Sequence, residues 1–590
     1  MSYIVVNNIK QIYNFVENES MLFIDTETTG LKAYQGDLPF SLQIGKKNSK
    51  DILYIPLIHT KNQKDIWCLC DEPFFLEEIK NMLEQKSLVA HNAKFDLHMI
   101  NAFFRKYLCI DFNPENVICT MHFTKILFLN LYKYSLDSLS YEFRLPLKAD
   151  LGLSKKEKYD EVAFDKIVGY ACRDIYVLQY LYDYLINTVK SIDLSIKKNF
   201  VEYLPYELHT TCELYYMEKN GVLIDTNKIE NAKNIFNTII KQEKEEYKSL
   251  CGIDFVSSPK SIQKAFDVFD IKLPLNEKNN PITDEEVLKQ IEHPLAKKII
   301  YIRGLVKNLS TYVNGFEEHK DENNLVHTNF NAIGAVTGRM SCSTPNLQNI
   351  PRKCKEFDLR SIIIAPENFD IISIDFAQQE LRVIMDLANE KEVIKEILAG
   401  KDLHQANADL AGIERQDAKN MIFGILYGEG AKQLAINTNK SVEQAGKLIV
   451  KIKRGLPAVT NYMKLMTDFA LQNGFIVTPF GVKIPVMTQL AYKSTNAIIQ
   501  GTSASITKKW LVKCSQFFRK SEKYSSLVHP CLVIHDEICF YVHHDITKNA
   551  SQMTQFVEII KKFALESSWS TAKVPMDVDA KNVGSFWKKP

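Results

Sequence analysis

IISIDFAQQELR (371–382) is the stretch on which the reading of this chain turns. An apolar run ends in Asp375, the pattern of a strand that delivers an acid to a catalytic surface. Ile and Phe on a strand seek burial, so an ionised Asp among them is costly unless metal or hydrogen bonds compensate. The same construction recurs in CLVIHDEICFYV (531–542), which carries Asp536 and Glu537, and in MLFIDTETTGL (21–31), which carries Asp25 and Glu27. Magnesium, a hard cation that takes oxygen ligands and bridges to substrate phosphates, is the natural compensation. The first two stretches are expected to form one two-metal centre and the third another. Two such centres imply an enzyme that both makes and removes phosphodiester bonds.

The 590 residues exceed one core, and two to four domains are expected. A hydrophobic fraction of 46% with 24% charged residues excludes wholesale disorder. The net charge of +2 does not announce a nucleic-acid binder, so any such signal is local. Two basic stretches stand out: Lys297, Lys298, Arg303 and Lys307, and Lys451, Lys453 and Arg454. Each reads equally as a phosphate-facing surface or as the solvated face of a helix. The twelve cysteines show no C-x-x-C spacing, and Cys68 and Cys70 are the nearest pair. The zinc signal is therefore weak, and reduced thiols fit a cytosol-like reducing compartment. No apolar run approaches the ~20 residues of a membrane span. The beginning, MSYIVVNNIKQIYNF, has neither a secretory nor a transit pattern, so the leader of an imported protein would already be absent. Abundant Lys, Asn, Ile, Tyr and Phe beside 22 Gly and 4 Trp suggests an AT-rich genome.

From residue 21 to about 190, strand-like runs (MLFID, ILYIPLI, SLVAHN) alternate with helical periodicity, an α/β pattern. Residues from about 195 to 325 read as mostly helical, with Ser258 capping a helix that Pro259 enters. Beyond 325 the pattern is mixed. IISIDF and CLVIHDEICFYV read as strands, about 385–475 as helix-rich, and GFIVTPFGVKIPV as a hairpin around Pro479–Gly481.

Asp25 and Glu27 are two apart on a strand and leave from one face. HNAKFDLHMI supplies Asp96; YACRDIYVLQYL supplies Tyr170 and Asp174, four apart on one helix face. Four carboxylates can hold two metals, one activating water and the other stabilising the leaving oxygen. These residues resemble the DEDDy 3′→5′ exonuclease family over roughly 20–185. The resemblance implies an RNase-H-like fold, with Asp25, Glu27, Asp96 and Asp174 as metal ligands and Tyr170 orienting the attacking water.

Between Asp375 and Asp536 lies RQDAKNMIFGILYGEG, in which Arg415, Lys419, Phe423 and Tyr427 recur every four residues on one helix stripe. Two cations and two aromatics suit a nucleoside triphosphate. DFAQQELR, this stripe, HDE and TGRMSCSTPNLQNIP together resemble family A DNA polymerases, the bacterial DNA polymerase I type, over essentially 200–590. The resemblance implies an α+β right hand beside the α/β exonuclease, with the exonuclease domain at 1–190 and the polymerase at 191–590. Within the latter the thumb falls at about 195–330, the palm at about 331–384 and 491–590, and the fingers at about 385–490. Asp375 and Asp536 become metal ligands with Glu537 beside them. Arg415, Lys419 and His404 contact phosphates, and Phe423, Tyr427 and Gln378 the nucleotide. Glu380 crowds the sugar 2′ position. Arg339, Asn496, Gln500 and His535 face the primer–template minor groove, whose acceptors occur on every base pair. Each site would take two Mg²⁺, with Mn²⁺ as a substitute.

The resemblance has departures: Phe376 with Ala377 and Gln379 in the first acid motif, Ile422 before the fingers phenylalanine, and a shortened stretch between His404 and Arg415. Only about 20 residues precede the exonuclease motif, so no 5′-nuclease domain is expected. The composition and altered motif look most like the apicoplast polymerases of apicomplexan parasites, which implies residence in that relict plastid. The expected partners are primer–template DNA, dNTPs, and a helicase or primase, bound by a monomer. The alternative reading is an exonuclease whose polymerase half only grips DNA.

Overall fold

A computed structural model describes residues 2–588 except 62, 150, 153–157, 353, 401–404, 406–407, 409–413 and 439. In the N-terminal half, strands β1 (Ser2–Val5), β2 (Met21–Thr28), β3 (Pro39–Lys46), β4 (Asp51–Pro56), β5 (Ser87–Ala90) and β6 (Asn116–Cys119) form one sheet. Their order is β1-β4-β3-β2-β5-β6, with β2 antiparallel to β3 and parallel to β5. Alternation along β2 fixes where its acids go. Leu22 and Ile24 enter the core beneath α1 (Ala93–Leu108), while Phe23 enters the core beneath α2 (Phe164–Lys190). Asp25 and Glu27 share the phase of Phe23 and so emerge toward α2, whereas Thr26 emerges toward α1.

Helix α3 (Leu194–Asn220) joins the two halves. Tyr215 and Tyr216 sit in the N-terminal core, their phenols donating to the carbonyls of Phe112 (2.7 Å) and Pro114 (2.9 Å). About two turns earlier, Glu207 of α3 is buried against Lys508 and His122. Helices Thr226–Cys251 and Pro294–Lys307 then pack around a separate small core of Tyr247, Phe266, Leu295 and Ile299. The predicted helix start at Ser258 is present, with Ser258 accepting from the Ser261 N–H and Pro259 in the first turn. The basic stretch beside it is occupied structurally. Lys298 pairs with Glu243 and Glu246, and Arg303 binds Ser257 and Thr283.

The second sheet is antiparallel, built from β7 (Phe369–Phe376), β8 (Val528–Ile534), β9 (Glu537–His543) and β10 (Val578–Gly584) in the order β8-β9-β7-β10. Behind it runs α6 (Ser494–Lys520), whose Trp510 is fully buried with its ring 4.6 Å from that of Phe376. Against α6 packs α4 (Gln379–Ala388), with the Gln379 side chain donating to the Thr507 hydroxyl at 3.2 Å, and the helical block containing α5 (Arg415–Leu426) follows it. That block has its own core of Leu381, Ile384, Met421, Ile425, Leu434 and Ile452. The hairpin at Pro479–Gly481 forms as expected, pairing Phe475–Val477 with Lys483–Pro485. Gly481 adopts φ +77°, and a Cβ there would lie 2.7 Å from the Ile196 carbonyl and 2.8 Å from Phe200, so the turn admits no side chain.

Candidate active sites

The acids of the N-terminal half converge as the strand alternation requires. Asp25 and Glu27 meet Asp174 and Tyr170 of α2, and Asp96 reaches across from α1 to accept from the Thr26 N–H (3.1 Å) and hydroxyl (2.8 Å). Burial raises all four acids, and repulsion from the neighbouring acids adds to it at Asp25 and Glu27. Asp25 is held well above the usual carboxylate range; Glu27 rises to about 8 and Asp96 to about 7. Asp174 rises to about 6 despite its ion pair with Lys148. Asp174 Oδ1 is buried with no hydrogen-bond partner. Crowded acids with an unspent oxygen are the donor set a pair of hard cations would satisfy. No three of them bring ligand atoms within 4.8 Å of one another, the spacing expected of like charges. Sequence reasoning missed Lys148, which pairs with Asp174 and lies 5.4 Å above the Tyr170 ring. It follows an irregular stretch with no periodicity to flag it.

At the second sheet, Asp375 lies directly opposite Glu537 on β9 and Asp579 on β10. Asp536 occupies the two-residue turn between β8 and β9, where its carbonyl accepts from the Phe376 N–H at 3.3 Å. The other turn residue, His535, takes φ +58°, a left-handed conformation costing a non-glycine residue about 1–2 kcal/mol. That strain aims the histidine and the acid into a cleft of 150 Å³ shared with Arg339, Glu380, Ser503 and Thr507. Burial, then the neighbouring Asp536 and Glu537, push Asp375 up to about 7, with Arg352 opposing. Asp536 is likewise raised by burial and by Glu380. Glu537 is set back, accepting from the Ser373 hydroxyl at 2.6 Å.

Glu380 joins two predicted groups. One carboxylate oxygen pairs with Arg339 and the other accepts from the Tyr427 phenol. Phe423 lies 5.9 Å from Tyr427, ring to ring, and exposed Arg415 begins the same helix, α5, which also carries Lys419. Asn496 and Gln500 lie on the first two turns of α6, with the Asn496 Oδ1 buried and unpartnered. One residue beyond, a Cβ on Gly501 would meet the Thr337 carbonyl at 3.2 Å, so α6 closes on the segment bearing Arg339. Gln378 caps α4 in a left-handed conformation. His404 lies outside the described residues. Arg352, Ser373 and Asp579 were not anticipated; strand register alone brings Asp579 beside Asp375.

A family model described as DNA polymerase family A matches residues 226–589, and one described as 3′-5′ exonuclease matches residues 7–190. The chain belongs to DNA polymerase family A. This family A chain is 27% identical to the DNA polymerase I of Pseudomonas aeruginosa, over 97% of its own length and 64% of that relative. With the DNA polymerase I of Caldicellulosiruptor bescii it shares 29% identity, covering 90% of this chain and 62% of the relative. The chain thus spans just under two thirds of these bacterial polymerases. With DNA polymerase DpoZ of Salmonella phage PMBT28 the identity is 24% over 93% and 95% of the two chains. The fold is that of the POL domain of Pol1 from M. smegmatis, solved in complex with DNA primer-template and dNTP. The TM-score is 0.78 at 21% identity, covering 100% of this chain and 99% of that one.

Proposed function

We propose that this chain is a template-directed DNA polymerase that adds dNTPs to a primer 3′ end and proofreads with its 3′→5′ exonuclease. The observation that carries the reading is Asp375 beside Asp536, which itself lines a cleft with Glu380, Arg339 and His535. Asp375 and Asp536 would hold two Mg²⁺, or Mn²⁺ in their place, and Asp25, Glu27, Asp96 and Asp174 a second pair of the DEDDy type. When bound, such cations supply the positive charge that activates the attacking oxygen and steadies the leaving one.

The chain's own residues do the rest. Arg415, Lys419 and His404 bind the triphosphate, while Phe423, Tyr427 and Gln378 pack on or near the incoming nucleotide. Glu380, fixed from both sides, bars a 2′-hydroxyl. Arg339, Asn496, Gln500 and His535 test pairing geometry through minor-groove acceptors, and Tyr170 holds the attacking water in the exonuclease. In this reading the helices around 195–330 form the thumb, the sheet of 331–384 and 491–590 the palm, and 385–490 the fingers. The composition and the Phe376 motif support service in apicoplast DNA replication or repair, as a monomer working with a helicase or primase. Among the described residues no helix is long and apolar enough to cross a membrane.

Extension of matched and mismatched primers with Mg²⁺ and dNTPs tests the reading. The matched primer grows directly, and the mismatched one is first shortened and then grows. A chain that only degrades both primers would refute it.

A further inference from the structure

The loop between β4 and the helix Leu76–Glu84 brings together four groups that neither carboxylate site uses: His59, Cys68, Cys70 and Asp71. Nitrogen, sulfur and oxygen of His59, Cys70 and Asp71 lie within 4.8 Å of one another, the one such trio among the described residues. His59 Nε2 faces Asp71 Oδ1 at 2.9 Å, and Cys70 Sγ is 3.9 Å from the same oxygen. Each ligand is braced from behind. The other His59 nitrogen, Nδ1, donates to the Gln63 carbonyl at 3.2 Å, and the second Asp71 oxygen accepts from the Cys68 N–H at 3.0 Å. The Cys70 N–H donates to the Leu57 carbonyl at 3.1 Å, closing the loop on itself. A histidine anchored through one nitrogen to a backbone carbonyl is the usual second layer of a metal ligand.

We propose that His59 Nε2, Cys70 Sγ and Asp71 Oδ1 bind one zinc ion, at a site separate from both carboxylate centres. A thiolate with an imidazole selects zinc over magnesium, which takes oxygen ligands. Binding expels the Cys70 thiol proton to water and leaves a fourth position for a water molecule. The site's place in the fold suggests its use. Lys61 of the same loop pairs with Glu161 at 2.6 Å, and the Tyr159 ring of that turn packs 5.9 Å from Tyr170 of the exonuclease site. A metal here would brace the wall against which Tyr170 stands.

Cobalt(II), a spectroscopic stand-in for zinc, tests the proposal on the whole reduced protein with excess Mg²⁺ present. We expect one equivalent to bind with a thiolate-to-cobalt charge-transfer absorption, displaced by zinc. That absorption should be absent from C70S, at least about tenfold harder to saturate in H59Q, and unchanged in D25A. Wild-type protein that shows no thiolate band, or a band that survives C70S, would overturn the assignment. The wild-type titration stands even if a variant misfolds, and a band lost in D25A but kept in H59Q would place the ion at the exonuclease acids instead.

Discussion

The Tyr427 phenol donates to one oxygen of Glu380 while Arg339 holds the other, so the residue that caps the end of α5 and one ahead of the sheet clamp the same carboxylate. A carboxylate fixed from both sides is a rigid wall rather than a swinging side chain. E380A should therefore raise incorporation of rNTPs relative to dNTPs by roughly tenfold or more. Y427F, which leaves the Arg339 pair intact, should raise it less. Single-nucleotide primer extension with competing dNTP and rNTP measures both; unchanged discrimination in E380A would show that the clamp serves the protein and not the sugar.

Lys148 lowers the proton affinity of Asp174, Glu27 and Asp25 together. Replacing it with Met removes that charge, so the acidic limb of the pH–rate profile for 3′-end excision should move to higher pH. Primer extension should keep its profile. A parallel shift in both activities would mean that the two sites are electrostatically joined.

The exonuclease acids also set a pH dependence of stability. Glu27 at about 8, Asp96 at about 7 and Asp174 at about 6 all lie above their unfolded values of 4.5 and 3.8. The folded chain therefore binds more protons than the unfolded one across this window, and stability falls as pH rises from about 4 to about 8. In chelator, Tm should drop over that range by more than in E27Q, and Mg²⁺ should flatten the wild-type curve. A chelated protein whose Tm rises toward pH 8 more steeply than that of E27Q would contradict the reading.

Lys508, Glu207 and His122 form a buried charged network between the halves, with the Tyr203 phenol also donating to Glu207. Although burial pushes Glu207 upward, Lys508 and His122 bring it down to about 2. Lys508→Met strands that charge, at a cost of about 3–5 kcal/mol, and should lower the urea midpoint markedly. Lys508→Met with Glu207→Gln should recover much of the loss.

The parts of this molecule legible from sequence are those whose chemistry is local. An apolar run ending in Asp25 or Asp375 specifies a strand with an acid on it, and four-residue spacing specifies the faces of α2 and α5. The hairpin at Gly481 was legible because few residues tolerate its conformation. Contacts set by register or by chain reversal were not legible. Asp579 meets Asp375 through the pairing of β7 with β10, and Lys148 meets Asp174 through an irregular loop. The trio of His59, Cys70 and Asp71 was invisible for the same reason. Its ligands are eleven residues apart in a loop, and no C-x-x-C spacing marked them. For Arg303 and Lys298 the sequence left a phosphate-facing surface and a solvated helix face equally open, and in the fold their neighbours Thr283 and Glu243 engage them.

The most direct measurement follows one labelled primer–template through extension and 3′-end excision by the wild-type, D375A and D25A proteins. The account predicts that D375A loses extension and keeps excision, while D25A keeps extension and loses excision. Loss of both activities from either single change would contradict two independent carboxylate centres.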